Sequence, residues 1–367
     1  MAVLWVIPLV IGLYLLQNLL YRRFWDRGLG ARISFTEEYG IEGQESVLEE
    51  VVVNDKPLPM PAVEINFHMD KGLRFSDGEN SSVSDATYRR DIFAFGPRQK
   101  ITRSLPFVCG RRGYYRIDEA GVLARNLVMT QQFLTAFPQN TAFYVLPRPV
   151  DTQRIAIPFS QLMGSVISKK RVYDDPLEFA GLRDYSRGDP MRYINWKATA
   201  REGELLVNLH ESTLSQTVTL VVDMEGKGVQ QADVLNEEGV RVAAALCQGL
   251  LSAGIQVDVL SNGTDVLTGR PLAMHRVAGA GSALTLQKKF ACLQAGNGLA
   301  PVEELFPAQG EGEERLLVLI SRNQREDLCQ ALANWAGKRP CLHIVPYLAE
   351  HPQLPEPGGL RHLWWQA

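Results

Sequence analysis

The chain has 367 residues, which exceeds a single average domain and predicts two folded units with additional segments. Its formal net charge of -3 gives no support to general nucleic-acid binding. The five cysteines are far apart and never form a C-x-x-C pair. This spacing argues against a disulfide framework and against a structural zinc site, and it favours a reducing compartment.

The first predicted element is an apolar helix. Residues 2–20 carry no charge and approach the ~20 residues that a helix needs to cross a hydrocarbon core. A cleaved signal peptide is the alternative, but it requires basic residues before the run and a small-residue cleavage site after it. The arginines follow the run instead, beginning with Arg22 and Arg23. The positive-inside rule therefore predicts a single-pass anchor at residues 1–22, with the rest of the chain in the cytoplasm.

Residues 33–149 have the pattern of strands. Residues 62–68 alternate apolar and polar side chains, which is the period of a half-buried strand. Further strands are predicted around residues 51–53, 101–107, 114–117 and 141–146. Several short strands at this spacing, with turn-rich segments between them, predict an all-β sandwich of immunoglobulin-like shape.

Residues 150–215 are predicted to connect this sandwich to a second unit, and they contain the densest charged segment of the chain. Charges of both signs alternate there with tyrosine and tryptophan rings. Because a buried unpaired charge is costly, this pattern predicts hydrogen-bonded ion pairs in a structural network. The alternative is a surface that faces a partner or a substrate. The candidate residues are Arg183, Tyr185, Arg187, Gly188, Asp189, Arg192, Trp196, Lys197 and Arg201.

The same segment carries a resemblance to a known family. It fills every fixed position of the pattern R-x-Y-x-x-G-D-x-x-R-x-I-x-W-K-x-x-A-R, from Arg183 to Arg201. The chain therefore resembles the bacterial domain of unknown function 58 family. The resemblance implies a location in the inner membrane and a von Willebrand factor A-like domain after the signature. It also implies a MoxR-type AAA+ ATPase as partner.

From residue 216 to residue 348, short apolar strands alternate with helices. Strands are predicted at residues 217–222, 255–260, 315–320 and 341–345, and helices at residues 233–253, 282–293 and 325–336. This alternation predicts an α/β unit with a mostly parallel sheet that is covered on both faces. The Pro-rich tail at residues 349–367 ends with two tryptophans, and either docking on a partner or packing onto its own unit is consistent with the sequence.

A ligand site in such a sheet is expected at the carboxyl ends of the strands. The resemblance implies a divalent cation there, held after the first strand by Asp-x-Ser-x-Ser. The chain keeps Asp223 but has Glu225 and Lys227 in place of the serines, and Ser321 leads into Arg322 where a later carboxylate is expected. Hard cations require several oxygen ligands, so Asp223, Glu225 and Ser321 are degenerate candidates and no metal is predicted. Asp223 is expected to cap the sheet edge or to pair with a base such as Lys227.

The sequence has neither a G-x-S-x-G motif nor a Walker motif. The leading interpretation is therefore a non-enzymatic, membrane-anchored interaction or scaffold protein without a cofactor, and a partner of the ATPase. One alternative is a membrane-bound hydrolase that uses acidic residues near the signature, although neighbouring arginines explain those acids more simply as ion pairs. The other alternative is a divalent-metal-dependent binding module. The acids in question are Asp174, Asp175, Glu178, Asp184 and Asp189.

Overall fold

In a computed structural model of the chain, two compact units are formed. The first comprises Met1–Arg148 with Phe290–Cys292, and the second comprises Pro149–Lys289 with Leu293–Ala367. The structure describes residues 2–75, 81–83, 86–170, 179–185, 191, 194–210, 217–225, 231–296, 298–306, 315–323, 325–337, 341–348 and 362–367.

The N-terminal helix α1 (Ala2–Phe24) confirms the predicted apolar helix. Its segment Trp5–Phe24 is long and apolar enough to cross a membrane, and most of its large apolar side chains are exposed. The end of the helix packs on the first unit. The Tyr21 side chain is buried, and its hydroxyl donates to the carbonyl of Pro59 at 2.5 Å.

Strands dominate the rest of the first unit, as the alternating pattern predicts. They form two sheets, with strand orders β1-β3-β8-β5 and β2-β10-β9-β4-β7-β6. All pairings are antiparallel except the parallel pair of β2 and β10. The strands are β1 (Leu29–Phe35), β2 (Tyr39–Ile41), β3 (Glu45–Asn54), β4 (Met60–Asp70), β5 (Leu73–Phe75), β6 (Ser81–Val83), β7 (Ala86–Phe95), β8 (Gln99–Cys109), β9 (Gly113–Arg125) and β10 (Gln132–Leu146).

One buried core lies between the two sheets and makes the unit sandwich-like. Leu48 and Phe107 from the first sheet belong to the same apolar cluster as Ile65 and Phe143 from the second. Burial alternates along β3 because successive side chains of a strand point to opposite faces. The Phe107 and Phe143 rings meet edge to face, with centroids 5.4 Å apart.

The second unit alternates helices and strands. Its elements from residue 149 onward are α2 (Thr152–Lys170), β11 (Phe179–Asp184), α3 (Trp196–Glu202), β12 (Leu206–His210), β13 (Thr217–Val222), α4 (Ala232–Ser252), β14 (Gln256–Asp265), β15 (Arg270–Val277), α5 (Ala283–Cys292), β16 (Leu293–Gln294), β17 (Arg315–Ile320), α6 (Glu326–Ala336), β18 (Cys341–Tyr347) and β19 (His362–Gln366). The sequence pattern missed α2, which lies in the predicted connector, and the strand β15.

The main sheet of this unit is mixed. Its strand order is β15-β14-β13-β17-β18-β19. The strands β14, β13, β17, β18 and β19 run parallel to one another, whereas β15 and the short β16 pair antiparallel with β14. Helices cover both faces: Leu319 clusters with Leu328 of α6, whereas Gly239 of α4 lies against the adjacent Ile320. Neighbouring residues of one strand point to opposite faces, so α4 and α6 lie on opposite sides.

The chain's final segment forms an edge strand of this sheet. Strand β19 pairs in parallel with β18, although it lies in the segment that the sequence assigns to a tail. Trp365 is buried, and its Nε1 donates to a carboxylate oxygen of Glu238 in α4 at 2.9 Å. The Arg154 guanidinium lies 4.6 Å from the centroid of the Trp365 ring. Residues 362–367 of the tail therefore pack onto their own unit, which is one of the two possibilities that the sequence left open.

Candidate functional site

The signature segment forms a small β-hairpin that carries a capped helix. Strands β11 and β12 pair antiparallel, and α3 lies between them in sequence. The Asn195 side chain caps α3 by accepting from the Ala198 amide at 3.0 Å. Gly203 ends the helix with a φ of 80°, a left-handed conformation that glycine adopts without a Cβ clash.

Backbone contacts hold this helix to the hairpin. The Asn195 amide donates to the Leu206 carbonyl at 2.8 Å, and the Tyr185 amide donates to the Leu205 carbonyl at 2.9 Å. Ile194 is buried and forms an isolated bridge with Val207. Hydrogen bonds therefore hold the start of α3 to β12, which restricts the orientation of the helix.

The side chains that α3 presents point to solvent. Trp196 is 60% exposed, and Lys197 and Arg201 are also exposed. The prediction of a structural network of buried ion pairs is therefore wrong for these three residues. Tyr185 is half-buried, and Arg183 lies in β11 with a side chain outside the described residues. Arg187, Gly188, Asp189 and Arg192 also lie outside the described residues, so the network prediction stays open for them.

A second polar cluster lies at the carboxyl ends of the parallel strands. The order of the sheet places β14 on one side of β13 and β17 on the other, so the chain reverses its direction of winding at β13. Such a switch point is where open α/β sheets bind ligands. Asp223, Asn262 and Ser321 come directly after paired residues of these three strands and therefore lie at one level. We call this group and its hydrogen-bonded neighbours the strand-end cluster.

Neutral donors satisfy the Asp223 carboxylate. Ser321 Oγ donates to its Oδ2 at 2.7 Å, and Asn262 Nδ2 donates to its Oδ1 at 2.9 Å. The Glu225 amide donates to the same Oδ1 at 2.9 Å. The structure thus brings Asp223 and Ser321 together as a sheet-edge cap. The predicted base, Lys227, lies outside the described residues.

An arginine supplies the positive charge of the strand-end cluster. Arg322 is buried, its Nε donates to Asn236 Oδ1 at 3.0 Å, and its Nη2 donates to the Glu225 carbonyl. Burial lowers the pKa of Arg322, while the negative charges of Asp223, Asp233 and Glu225 act in the opposite direction. Arginine remains charged at neutral pH because its pKa starts far above that range.

The third candidate ligand, Glu225, is engaged by other groups. Its Oε2 accepts from Asn323 Nδ2 at 2.8 Å and lies 3.5 Å from Nη2 of Arg325. Arg325 also pairs with Glu303 at 3.0 Å. Two guanidinium groups therefore surround the acids that would coordinate a cation, and among the described residues no group of three or more His, Cys, Asp or Glu is placed to hold a metal ion.

Sequence reasoning found three members of this cluster, Asp223, Glu225 and Ser321, and missed the two asparagines. Asn262 and Asn236 reach Asp223 and Arg322 from β14 and α4, which no local pattern indicates. A signal was nevertheless present, because Asp223, Asn262 and Ser321 are each a polar residue at or near the end of an apolar strand.

The sandwich of the first unit contains a third polar group, which we call the sandwich-core cluster. Arg89, Asp91 and Glu50 are buried between the sheets, and Arg103 is part-exposed. Arg89 Nε contacts Asp91 Oδ2 at 2.6 Å, and Arg103 Nη1 contacts Asp91 Oδ1 at 2.7 Å. The Arg89 guanidinium also lies 4.6 Å from the centroid of the Phe75 ring.

Glu50 in this cluster differs from Asp91. Its two carboxylate oxygens have no hydrogen-bond partner among the described residues. Burial and, to a smaller extent, the charge of Asp91 raise the pKa of Glu50 to about 8, against the smaller opposing effects of Arg103 and Arg89. Glu50 is therefore held protonated at neutral pH, in a core rather than in a cleft near the signature.

Comparison with known proteins bears on the second unit. The model of the family described as Protein of unknown function DUF58 matches residues 181–344. No curated protein matches the sequence.

Several solved structures resemble about a third of the chain. The CARDB domain of a Pyrococcus furiosus protein, in complex with di-metal ions, is 9% identical, with a TM-score of 0.20 over 31% of this chain and 90% of that chain. A cohesin of Acetivibrio cellulolyticus scaffoldin B, in complex with a Cel5 dockerin mutant, is 12% identical, with a TM-score of 0.23 over 32% and 99%. The major pilin SpaD of Corynebacterium diphtheriae is 9% identical, with a TM-score of 0.23 over 30% and 34%. At these TM-scores the similarities carry no argument about function.

The matched region begins in β11 and ends in β18, so it contains both the signature hairpin and the strand-end cluster. The family that the signature predicts is thereby confirmed for this part of the chain. The region from residue 181 to residue 344 matches the DUF58 family of proteins of unknown function.

Proposed function

We propose that this chain is a membrane-anchored, non-enzymatic protein that binds another protein through α3. The observation that supports this proposal is the exposed Trp196 on a helix that is capped at both ends and whose N-cap is hydrogen-bonded to β12. Tryptophan and arginine are enriched among the residues that contribute most to binding energy in protein interfaces. A fixed helix also loses little conformational entropy on binding.

The partner proposed is a MoxR-type AAA+ ATPase, and its support is the resemblance of the signature to the family. Lys197 and Arg201 lie on the same short helix as Trp196 and favour an acidic surface on the partner. In this proposal the ATPase uses nucleotide hydrolysis for remodelling, and the chain tethers or presents the target at the membrane. The arginines in the last turn of α1 favour a cytoplasmic location for both units, which is the side where ATP is available.

The proposal includes a finer description of both folds. The Tyr115 hydroxyl donates back to the Arg111 carbonyl at 2.6 Å, a contact like the tyrosine corner of immunoglobulin-like sandwiches. Gly113 is required beside it, because a Cβ there would lie 2.8 Å from the Tyr115 ring. For the second unit, the parallel strands and an aspartate after β13 favour a von Willebrand factor A-like fold in which an arginine supplies the positive charge.

The two alternative functions gain less support. A metal-dependent module requires a cation among Asp223, Glu225 and Ser321, yet Arg322 and Arg325 already contribute positive charge there. We therefore expect that millimolar Mg²⁺ or Ca²⁺ leaves the melting temperature of the second unit unchanged. A hydrolase near the signature requires a carboxyl with a raised pKa in that region; among the described residues, the carboxyl whose pKa is raised is that of Glu50, in the sandwich core.

The proposal is tested by recovering partners of the full-length chain from detergent-solubilised bacterial membranes, with and without ATP. An AAA+ ATPase identified by mass spectrometry is then purified, and its affinity for the chain is measured. We expect Trp196→Ala to weaken this affinity by about tenfold or more, since removing a central aromatic residue typically costs upwards of about 1.4 kcal/mol.

The matched control is Leu267→Ala, which truncates another exposed apolar side chain of the second unit. It is expected to leave the affinity unchanged, and thermal melts must show that both variants remain folded. Equal affinity of the wild type and Trp196→Ala would remove α3 from the interface. If crosslinking of the full-length chain in bacterial membranes traps no AAA+ ATPase, the proposed partner is wrong.

A further inference from the structure

The hairpin that joins β9 and β10 ends in an exposed apolar tip. Leu127, Val128 and Met129 are 53%, 50% and 55% exposed. Three consecutive apolar residues at the tip of a loop are costly to leave in water, because burying each such side chain is worth about 1.5–3 kcal/mol. An exposed apolar patch of this kind usually marks a surface that contacts a membrane or another molecule.

The residues on either side of the tip contact the apolar helix. Asn126 is fully buried, and its Nδ2 donates to Oδ1 of Asn18 in α1 at 2.8 Å. The Tyr14 hydroxyl lies 3.5 Å from Oγ1 of Thr130. Both contacts lie within the first compact unit, so the tip is held beside the part of α1 that is long and apolar enough to cross a membrane.

Hydrogen bonds within the loop satisfy several backbone amides around the tip. Asn126 Oδ1 accepts from the amides of Thr130 at 2.7 Å and of Gln131 at 3.1 Å. The Met129 amide donates to the Asn126 carbonyl at 2.9 Å. Because unsatisfied amides are the main cost of placing a loop in an apolar medium, this arrangement suits the tip to contact with lipid.

The helix sets the depth of the tip. The charged residues Arg22 and Arg23 close α1, which places the edge of the hydrocarbon near Leu20. Tyr14 lies six residues earlier, a distance of about 9 Å along a helix with 1.5 Å rise per residue. Residues of amphipathic membrane-surface elements insert to a depth of about 5–10 Å, so the contact between Thr130 and Tyr14 falls within that range.

We propose that the β9–β10 tip inserts into the leaflet beside α1 and forms a second contact with the lipid. This inference rests on the proposed anchoring of the chain by α1. The acyl region of the bilayer covers the apolar tip, because the tip is continuous with the exposed apolar surface of α1. A second contact fixes the orientation of the sandwich, which a single helix leaves free to rotate about its axis.

The test uses the full-length chain in phosphatidylcholine–phosphatidylglycerol vesicles, with an environment-sensitive fluorophore attached at one added cysteine. Val128→Cys reports on the tip and Leu9→Cys on the helix. Ile92→Cys in β7 is the matched control, because Ile92 and Leu9 are both 63% exposed and Ile92 is an apolar residue of the same unit. The chain without an added cysteine sets the background from its five native cysteines.

Vesicles that contain acyl-chain quenchers are expected to reduce the emission from positions 128 and 9 by at least about twofold, as expected for groups at acyl depth. Emission from position 92 is expected to stay unchanged. Quenching at position 9 without quenching at position 128 would overturn the inference and leave the anchor intact. Absence of quenching at position 9 would overturn the anchor, and the inference with it. Equal quenching at positions 128 and 92 would also overturn it, because the tip would then not be distinguished from the rest of the sandwich.

Discussion

The sandwich-core cluster and the strand-end cluster use similar residues in different surroundings. Each contains a buried arginine and two acidic side chains. In the sandwich the charges lie between two sheets, and Glu50 has no hydrogen-bond partner among the described residues. At the strand ends, Asp223 receives hydrogen bonds from Ser321, Asn262 and a backbone amide.

The difference shows that the place of a buried acid in the sheet determines how many hydrogen-bond donors reach it. A sheet interior offers a side chain few donors, because the backbone amides are already used in the strand ladders. Strand ends offer free amides and short polar side chains, which stabilise a carboxylate. Consequently burial raises the pKa of Glu50 to about 8, whereas Asp223 acts as a hydrogen-bonded cap.

The largest expected effect concerns the ion pair of the sandwich-core cluster. Arg89→Met removes the buried partner of Asp91, and breaking a buried pair typically costs about 3–5 kcal/mol. Arg90→Met is the control, because Arg90 is exposed and its pair with the half-buried Glu64 is open to solvent on the arginine side, so the expected loss is about 1 kcal/mol. Hydrogen exchange of β7 and β4 amides in the full-length chain measures both. Equal losses of stability in the two variants would show that burial does not strengthen the contribution of the Arg89–Asp91 pair.

The next effect has the opposite sign and depends on pH. Folded Glu50 keeps its proton up to about pH 8, whereas the unfolded chain releases it near the ordinary pKa of 4.5. Its contribution to stability is therefore complete below that value and declines as pH rises to about 8, by up to about 1.4 kcal/mol per pH unit. Glu50→Gln is expected to remove this part of the decline and to be more stable than the wild type at pH 8.

The control for this prediction is Glu49→Gln, which changes the neighbouring acid on the less buried face of β3. It is expected to leave the pH dependence of unfolding unchanged. Denaturant unfolding of the first unit between pH 5 and pH 9 provides the measurement. The free energy of unfolding of the wild type is expected to fall across this range. If it rises as steeply instead, Glu50 is not protonated in the fold.

A smaller effect is expected at the strand ends. Asp223→Ala leaves the Ser321 hydroxyl and the Asn262 amide without their acceptor, which costs about 1–3 kcal/mol. Asp327→Ala is the matched control, because that carboxylate is largely exposed and pairs with Arg325 at the surface. Hydrogen exchange of β13 and β17 amides distinguishes the two. No loss of protection in Asp223→Ala would mean that these hydrogen bonds do not stabilise the sheet edge.

The smallest expected effect on stability is that of Trp196→Ala. Its side chain is 60% exposed, and surface substitutions usually change stability by less than about 0.5 kcal/mol. The variant is therefore expected to separate binding from folding, with a large loss of affinity and an almost unchanged melting temperature. A melting temperature that falls as far as that of Asp223→Ala would indicate that Trp196 supports the fold.

Local periodicity predicted several elements in both units, although it missed α2, β15 and β19. The apolar run of α1, the alternation in β4 and the strand–helix order after Thr217 each depend on spacing within a single segment. Helix and strand periods are properties of the backbone, so such segments can be interpreted without knowing their neighbours. The signature was likewise sufficient to predict the family of residues 181–344.

The clusters and the hairpin tip, by contrast, depend on which segments meet. Asn262 lies beside Asp223 because β14 and β13 pair in parallel in one register, and Asn126 meets Asn18 because the hairpin packs on α1. Glu50 lies near Asp91 because β3 and β7 belong to sheets that share a core. These contacts join residues that are 39 to 108 positions apart, and their energies depend on burial and strand order. The sequence determined the elements and their chemistry, and only the tertiary structure decided which charges are satisfied, because hydrogen bonding and desolvation are properties of the assembled surroundings.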